Sequence, residues 1–416
     1  MNSSQKYAAE ISSIERVEES SVRLDQWIEG EQFKGWSPYD GMNSPILNKL
    51  SFHNRLMGIF WVQLLKLNPI NLRPLLRIKK DFNPKGMGLF LSSYLRKYSI
   101  SNDERYLELI SLFSFWLQAH ISNGYSGACW GYNFDWPNRG FFAPKGTPTI
   151  VNTAFIGLGY LDVYSFLEEK HIETFFSKEQ LQNPANNAFC SPVEIARSAC
   201  DFILNDLNQI SPQKNEVCFS YSPIDTRWVH NANVMGAMLL AAVYRFTREP
   251  ILAEFAEKAI HYTIHRQRND GSWPYGEASN DRWADNYHTG FVLVALKSIA
   301  TSLGIKKYNQ IIWDGYQYYK EHFFLPDGTP KFYNNKIHPI DTHCIAQGIL
   351  TFLAFSDVDR ESIELSFRVA IWGIKNMQDT DGFFHYQIRR MYRNRIPYMR
   401  WSQAWMQRAL IELVIN

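Results

Sequence analysis

Three histidines recur at nearly the same place in three successive segments of the sequence. His230, His288 and His343 each stand at the start of a stretch with the apolar pattern of a buried helix. An imidazole titrates near neutral pH and can serve as a general acid or base. Convergence of the three rings would instead allow a zinc site with Cys344 as fourth ligand, although their spacing is not a zinc signature. The pattern predicts acid–base chemistry without a cofactor, with zinc as the alternative.

Carboxylates accompany these histidines. The tetrapeptide Pro-Ile-Asp-Thr occurs twice, and its Asp225 and Asp341 each precede one of the histidines by a few residues, as Asp285 does. A carboxylate beside an imidazole fixes its tautomer and raises its basicity, whereas the same residue can serve only as a helix N-cap or turn former. Both interpretations stay open here. With a tyrosine as a further base, the predicted catalytic residues are His230, His288, His343, Tyr386, Asp285 and Asp341.

Aromatic and polar residues near the same positions are candidates for substrate binding. The segment CWGYNFDWPNR is the densest aromatic stretch, and rings of this kind form surfaces on which sugars stack. Helix N-termini favour anions, so polar residues there suit a carboxylated or phosphorylated sugar. Core packing and ordinary caps are the alternatives. The predicted binding residues are Trp130, Tyr132, Asp135, Trp136, Arg139, Asn152, Asn231, Trp273, Tyr275, Glu277, Arg400 and Trp401.

A basic run near the C-terminus suggests an acidic substrate. It contains Arg389, Arg390, Arg393, Arg395 and Arg400. Arginines that neutralise a uronate would make its C5 proton more acidic, so that a histidine or tyrosine could remove it. The prediction is an enzyme that epimerises or eliminates, acting on an acidic oligo- or polysaccharide. Paired carboxylates would support glycoside hydrolysis instead. A non-catalytic glycan-binding scaffold at the inner membrane face is the third interpretation.

An internal repeat would position these residues. Five segments share an aromatic-x-Tyr stretch, a polar loop and an apolar helix, with helix starts predicted near Asn152, Asn231, Asn286, His343 and Ser402, and a sixth unit is expected near residue 87. The longest step carries an insertion around residues 168–188. Amphipathic helices lie between these starts. Six such pairs can close into a ring, so the predicted fold class is all-α, an (α/α)6 toroid with short β-hairpins on its rim. Residues 1–45 are predicted to form an N-terminal helical arm and 46–416 a single domain.

The amino-acid composition limits the kinds of molecule that the protein is expected to bind. Of 416 residues 45% are apolar, and 43 Lys and Arg nearly balance 41 Asp and Glu, which disfavours nucleic acid. Five cysteines without a CxxC pair, together with an N-terminus that lacks an apolar signal segment, predict a cytoplasmic protein. Residues 60–85 interleave basic and apolar side chains, so peripheral contact with the inner membrane is expected there, with a solvated loop as the alternative. The oligomeric state is left open.

Two short segments carry a resemblance to known toroids. QRNDGSW, Gln267–Trp273, resembles the Gln-Trp motif of squalene–hopene cyclases and prenyltransferase-type toroids, and MQDTDGFF looks like a degenerate second copy. In those families the motif ties outer helices to the turns that follow them, so the resemblance implies a fold and no substrate. The acidic cluster that protonates a polyene in the cyclases is absent, which disfavours terpene cyclisation.

A wider resemblance covers roughly residues 45–416. The chain is similar to bacterial proteins encoded with polysaccharide-assembly genes, through NLRPLLRIKKDFNPKGMGLFL, WGYNFDWPNRGFFAPKGTPTIVNTAF and RWSQAWMQRAL. More distantly it resembles uronyl hydrolases, sugar 2-epimerases, uronyl C5-epimerases and the toroidal halves of polysaccharide lyases. The resemblance implies surface-polysaccharide metabolism, with a lipid-linked glycan as one form of the substrate. No catalytic signature of these families carries over residue by residue.

Overall fold

The secondary structure is almost entirely helical. The computed structural model describes residues 3–171 and 191–416, so the predicted insertion lies outside the described residues from position 172 onward. The α-helices are Ser3–Gly30, Pro45–Leu50, Arg55–Leu67, Pro84–Ser101, Arg105–Ala119, Ile150–Lys170, Pro192–Asn205, His230–Thr247, Pro250–Ile264, Asn286–Leu303, Asn309–His322, Thr342–Ala354, Ser362–Met377 and Ala404–Ile415.

The strands are two residues long and antiparallel. Trp136–Pro137 pairs with Phe142–Ala143, and Gln209–Ile210 pairs with Cys218–Phe219. A three-stranded sheet places Gln387–Ile388 between Ile340–Asp341 and Arg393–Asn394. The strands lie in the segments that lead into the apolar helices, as the repeat predicted.

The predicted helix starts agree closely with the observed ones. Helices begin at Ile150, His230, Asn286 and Thr342, while a π-helical turn at Met399–Gln403 leads into the last helix. Local caps explain two of these boundaries. The Thr149 hydroxyl accepts a hydrogen bond from the backbone N–H of Asn152, and the Asp341 carboxylate accepts one from that of His343. The repeat period therefore located the helices correctly.

The chain divides into two compact units. The first unit contains residues up to Phe82 together with Ala284–Phe291 and Gln317–Asn416. The second unit contains Asn83–Trp283 and Val292–Tyr316. In the first unit the N-terminal helix packs on the two last helices of the chain, and the helix Thr342–Ala354 packs on the same two helices.

Glycines set the helix spacing in the second unit. An added Cβ at Gly88 would lie 2.7 Å from the Ile156 side chain, and one at Gly236 would lie 2.4 Å from the Ile150 side chain. The helix Ile150–Lys170 therefore approaches both Pro84–Ser101 and His230–Thr247 more closely than any larger residue would allow. This helix is also long and apolar enough to cross a membrane, but 67% of the relevant window is buried inside the protein, as in a core helix.

The Gln-Trp segment has the structural role that the resemblance implies. The Gln267 side-chain amide donates to the carbonyls of Gly271 at 2.9 Å and Ile311 at 2.8 Å. The second copy has the same geometry in the first unit, where the Gln378 amide donates to the carbonyls of Gly382 at 2.8 Å and Ser20 at 3.0 Å. Each glutamine thus closes its own turn and fastens it to another helix.

Candidate functional site

In the second unit, backbone pairing brings His230 beside an acidic loop. The His230 N–H donates to the Tyr275 carbonyl at 3.0 Å, and the Glu277 N–H donates to the Trp228 carbonyl at 3.2 Å. Val229 and Gly276 form a β-bridge between these contacts. The segment before the helix His230–Thr247 therefore runs antiparallel to the loop and sets the imidazole against the Glu277 side chain.

His230 and Glu277 form a hydrogen-bonded pair. His230 Nε2 lies 2.9 Å from Glu277 Oε1. Burial lowers the pKa of His230 although the Glu277 hydrogen bond opposes the shift, and the hydrogen bond from His230 lowers the pKa of Glu277. Both directions describe a neutral imidazole that donates its Nε2 proton to an ionised carboxylate. The basic lone pair then resides on Nδ1, which is buried and has no hydrogen-bond partner in the described part of the chain.

Two asparagines at the starts of neighbouring helices also carry buried polar atoms. Asn152 lies in the first turn of its helix, and both its side-chain Oδ1 and Nδ2 are buried without a partner among the described residues. The same is true of Asn231 Oδ1 on the neighbouring helix, which packs against the first. Buried polar atoms cost free energy unless they are paired, so they are the groups best suited to bind a polar ligand. We call His230, Glu277, Asn152 and Asn231 the His230 site.

Half-buried aromatic rings adjoin the start of the Asn152 helix. Tyr132 stacks on Phe134 with ring centroids 5.1 Å apart, and its hydroxyl lies 3.2 Å from that of Tyr221. The Trp136 ring packs 5.7 Å from Tyr221. The Tyr221 carbonyl accepts the N–H of Ile150, which fixes these rings to the helix start. The predicted aromatic surface therefore forms from Tyr132 and Trp136, with Tyr221 as a member that the sequence analysis missed.

Arginines surround the acidic loop. Arg266 and Arg282 lie close enough to His230 to contribute to its lowered pKa, and an Arg282 nitrogen lies 3.9 Å from Glu277 Oε2. Arg227 donates to both carboxylate oxygens of Asp281 at 2.5–2.6 Å and is thereby neutralised. Tyr275, which was predicted to bind substrate, stacks on Trp283 with ring centroids 4.4 Å apart. Arg266 in turn pairs with Glu216 at 3.1 Å, so each of these three arginines lies beside a carboxylate.

Two predicted sugar-binding tryptophans are core residues instead. Trp130 is fully buried and its indole donates to the Leu117 carbonyl at 2.8 Å. Trp273 is 2% exposed and donates in the same way to the Thr263 carbonyl. Each indole N–H satisfies a carbonyl near the end of the preceding helix, and burial of the ring leaves no face open to a sugar. Their assignment to the binding set was wrong.

Other predicted residues of the second unit have local structural partners. Asp225 accepts hydrogen bonds from the hydroxyl and N–H of Ser222, so it forms a turn and does not pair with His230. Asp135 accepts the N–H of Lys145 at 2.7 Å across the hairpin. Arg139 is exposed near the hairpin tip. The proposed Asp225–His230 pair was wrong, and Glu277 takes its place.

In the first unit His288 pairs with its own helix cap. Asp285 Oδ1 accepts the N–H of His288 at 2.9 Å, and Oδ2 lies 2.8 Å from His288 Nδ1. Asp285 is buried, whereas the His288 side chain is 18% exposed. This carboxylate thus serves as cap and as histidine partner at once. We call Asp285, Tyr287, His288, His343 and Trp401 the His288 site.

His343 lies among aromatic rings. The centroids of Tyr287, Trp401 and Trp405 are each 4.8 Å from the imidazole, and that of Phe291 is 5.7 Å away. The side chain is 1% exposed. Tyr287 also contacts His288 at 4.1 Å, so both histidines belong to one cluster of rings. The repeat therefore brought two of the three predicted histidines together in the first unit.

Asp341 and Tyr386 are both buried in the same unit. Asp341 Oδ1 accepts from the His343 N–H and from the Trp401 indole, each at 2.9 Å, and Oδ2 accepts from Gln387. Burial raises the pKa of Asp341, and burial raises that of Tyr386 well above its usual range. A raised pKa favours the protonated phenol, and the role of Tyr386 as a base stays a prediction. Asp341 does not hydrogen-bond to the His343 ring, contrary to the proposed pairing.

The remaining predictions concern a metal and Arg400. Within residues 3–171 and 191–416, no group of three or more His, Cys, Asp or Glu side chains is arranged to hold a metal ion. His230 belongs to the second unit, whereas His288 and His343 belong to the first. Arg400 is buried, with its guanidinium 5.2 Å from the Trp401 ring and 3.4 Å from the Ser37 hydroxyl.

Sequence reasoning missed two aromatic residues for which signals existed. Tyr221 occupies the aromatic-x-Tyr position of its repeat in CFSYSP, the same pattern that selected Tyr132. Tyr287 stands immediately before His288 at a helix start. Both would have been found by carrying every repeat position across all the units.

Comparisons with known proteins are informative at the level of structure. No family model matches the sequence, and no curated protein matches it. The fold is similar to cellobiose 2-epimerase from Bacillus thermoamylovorans B4167, with TM-score 0.60 and 12% identity over 80% of this chain and 88% of that one. A D-mannose isomerase gives TM-score 0.56 and 12% identity over 80% and 86%. A family 76 α-mannanase from Bacteroides thetaiotaomicron gives 0.54 and 13% over 82% and 89%. These likenesses show that the chain has the (α/α)6 toroid fold predicted from its repeat.

Proposed function

We propose that the protein is a carbohydrate-active enzyme that removes a carbon-bound proton from an acidic sugar, as an epimerase or a lyase. One observation carries the proposal: His230 Nε2 lies 2.9 Å from the Glu277 carboxylate, and the buried Nδ1 has no hydrogen-bond partner in the described structure. This is the arrangement of a general base with its orienting carboxylate. The names of similar structures, a cellobiose epimerase and a mannose isomerase, support a carbohydrate substrate.

The proposed reaction begins with proton transfer to His230 Nδ1. The electron pair of the broken C–H bond moves into the adjacent carboxyl group of a uronate and forms an enediolate. Delivery of a proton from solvent to the opposite face inverts the carbon, and His230 Nδ1 then releases its proton to solvent. Departure of the oxygen on the neighbouring carbon, which takes up a proton, gives an unsaturated uronate instead. Glu277 stabilises the imidazolium that forms, and Arg266 and Arg282 favour the added negative charge of the intermediate.

Substrate binding would use the polar and aromatic neighbours of the base. Asn152 and Asn231 supply amide atoms for sugar hydroxyls. The half-buried rings of Tyr132 and Trp136 provide a face against which a sugar ring can stack. A glycan of bacterial surface polysaccharide, free or linked to lipid, fits this chemistry and the resemblance to proteins encoded with polysaccharide-assembly genes. The cytoplasm is the expected compartment.

Glycoside hydrolysis is the second candidate. It is favoured by similarity to an inactive α-1,6-mannanase variant from Salegentibacter sp. HEL1_6 solved with α-1,6-mannotriose, at TM-score 0.56 and 13% identity. Hydrolysis needs two opposed carboxylates. The predicted acids have other partners here: Glu277 pairs with His230, Asp285 with His288, Asp341 with Trp401, and Asp135 with a hairpin amide. Proton abstraction therefore fits the geometry better.

Incubation with glycans in deuterated water separates the candidates. Uronate-containing oligosaccharides are compared with neutral ones such as cellobiose and mannotriose. Deuterium in recovered sugar supports epimerisation, and absorbance of a C4–C5 double bond supports elimination. New reducing ends without either support hydrolysis. Binding without turnover supports a scaffold and contradicts the proposal.

The histidine variants make the test specific. His230→Gln removes the base but keeps side-chain volume and is expected to lower the exchange rate about 10³-fold. His120→Gln is the matched control. His120 is exposed, and among the described residues its side chain contacts the carbonyl and the ring of Trp116 on its own helix. Equal exchange rates in both variants would exclude His230 as the base.

A further inference from the structure

One stretch of the first unit is cationic throughout. Residues 41–80 contain seven lysines and arginines and no aspartate or glutamate. The rest of the chain is acidic by comparison, with 36 lysines and arginines against 41 aspartates and glutamates, since the whole carries a formal net charge of +2. The stretch forms the helices Pro45–Leu50 and Arg55–Leu67 and the loop that follows them.

The helix Arg55–Leu67 is apolar on both faces. Its inner face buries Gly58, Val62 and Leu65. The outer face of a surface helix is normally polar. Here it exposes large apolar side chains at helical spacing, with Leu56 69% and Phe60 52% accessible; the full set is Leu56, Met57, Phe60, Leu64 and Leu67. Nothing in the described structure covers this stripe.

Neighbouring segments extend the same exposed surface. The loop between the two helices projects Phe52, which is 78% accessible, and the loop after the second helix exposes Ile70 and Leu75. Phe52 and His53 both have left-handed backbone conformations, with φ of 50° and 56°. A bulky aromatic residue rarely adopts that conformation and does so at a cost in free energy. The chain thus maintains strain where it holds a phenyl ring out in solvent.

Cations border the stripe, but not all those expected from the sequence. Arg73 is buried in an ion pair with Asp40, and Lys80 pairs with Glu31. Lys85 is buried under the ring of Phe155. The expected membrane contact at residues 60–85 therefore has fewer accessible charges than its sequence suggests. The exposed cations of the stretch include Lys49, Arg77 and Lys79.

A hairpin from the C-terminal part of the first unit joins this surface. The Tyr392 hydroxyl donates to the Leu67 carbonyl at 2.5 Å, and the Asn394 amide donates to the Asn68 carbonyl at 3.1 Å. The hairpin exposes Met391, which is 87% accessible, and the cations Arg390, Arg393 and Arg395. We call residues 45–79, together with the hairpin of strands Gln387–Ile388 and Arg393–Asn394, the basic apolar face.

We propose that the basic apolar face binds the surface of a lipid bilayer with anionic headgroups. Exposed apolar side chains at helical spacing would enter the headgroup boundary, and the surrounding cations would contact the headgroups. Self-association through a two-fold axis would set this face against itself and oppose like charges, since residues 41–80 carry no acid. An anionic bilayer meets both the apolar and the cationic requirement. This inference does not depend on the proposed reaction.

Co-sedimentation of the whole chain with vesicles tests the proposal. Phosphatidylglycerol-rich vesicles should bind the protein, and vesicles of phosphatidylcholine alone should bind it far less. Replacing Lys49, Arg77 and Lys79 together by Gln should weaken binding on the order of 100-fold, at roughly fivefold for each cation near the surface. Binding should also fall as salt concentration rises.

The apolar contribution has a matched control. Leu56→Asp with Phe60→Asp should abolish vesicle binding, whereas Val358→Asp, at an equally exposed apolar residue beside Asp357 and Asp359, should leave it unchanged. Circular dichroism confirms that each variant is folded. Equal binding to both lipid compositions, or unchanged binding in the double variant, would overturn the proposal. Absence of vesicle binding would also overturn the proposal. In that case, conversion of a dimer to a monomer by the same variants would identify the face as a contact between two copies of the chain.

Discussion

The His230 and His288 sites each pair a histidine with a carboxylate, but the carboxylate comes from a different place in the chain. Each imidazole stands in the first turn of a helix and lies within 3 Å of a carboxylate oxygen. The partner of His288 is Asp285, three residues earlier on the same helix start. The partner of His230 is Glu277, which is 47 residues away on another loop. One pair is a product of local helix capping, and the other exists only because the tertiary fold brings two loops together.

This difference distinguishes a carboxylate contact that stabilises a helix end from one that can orient a catalytic base. An N-cap aspartate satisfies orphan N–H groups wherever a helix begins, so its contact with a nearby histidine needs no catalytic explanation. The Glu277 contact caps no helix and leaves His230 Nδ1 buried without a partner in the described structure. A buried unsatisfied base is costly, and it is the kind of feature that function maintains.

The largest expected effect distinguishes the two histidines directly. His230→Gln should lower the rate of deuterium exchange into the substrate about 10³-fold, since general base catalysis contributes roughly 10²–10⁴-fold. His288→Gln should lower it less than about tenfold. Single-turnover rates under saturating substrate give the comparison. A greater loss in the His288 variant would reverse the assignment.

The carboxylates should differ in the same direction. Glu277→Gln should lower the exchange rate about 10²-fold, because an amide no longer stabilises the imidazolium. It should also shift the acid limb of the pH–rate profile to lower pH, because the wild-type carboxylate raises the pKa of His230 and the amide does not. Asp285→Asn keeps an acceptor for the helix cap and should move neither quantity appreciably. An unshifted acid limb in the Glu277 variant would contradict the pairing.

The wild-type pH dependence follows from burial of His230. Burial lowers the pKa of His230, so the acid limb of the rate should lie below the ordinary imidazole value of about 6.5. The unfolded chain binds this proton first as the pH falls. Stability should therefore decrease below about pH 6.5, and the His230→Gln variant should lack that contribution. Denaturant unfolding between pH 5 and 7 measures the difference.

The smallest effect is expected at Asp341. Its pKa is raised by burial, so ionisation opposes folding as the pH rises through the native pKa. Asp341→Asn removes that cost but also disturbs one hydrogen bond, and the two changes offset to less than about 1 kcal/mol in the free energy of unfolding at neutral pH. Exchange activity should stay within a few-fold of wild type. Loss of activity with an intact fold would show that the carboxylate takes part in the reaction.

The fold was readable from the sequence because its signals are local and repeated. Helix starts follow from apolar periodicity and from caps such as Thr149 and Asp341. The Asp285–His288 pair, three residues apart, was readable for the same reason.

The His230 site was readable only in part. Glu277 and His230 were both named as candidates, but nothing local indicates that they touch. Trp130 and Trp273 were misassigned because their indoles satisfy helix carbonyls that are invisible in the sequence. Aromatic residues mark both cores and binding surfaces, and only burial distinguishes the two.

The hydrogen bond from Gln378 to Ser20 constrains how the chain is completed during synthesis. Its ends are separated by 358 residues, and both belong to the first unit. Much of the second unit is continuous, from Asn83 to Trp283, and can become structured while translation continues. The N-terminal helix must wait for the last two helices of the chain to emerge before its packing partners exist. Both of these distant segments must therefore have been synthesised before the first unit can reach its native contacts.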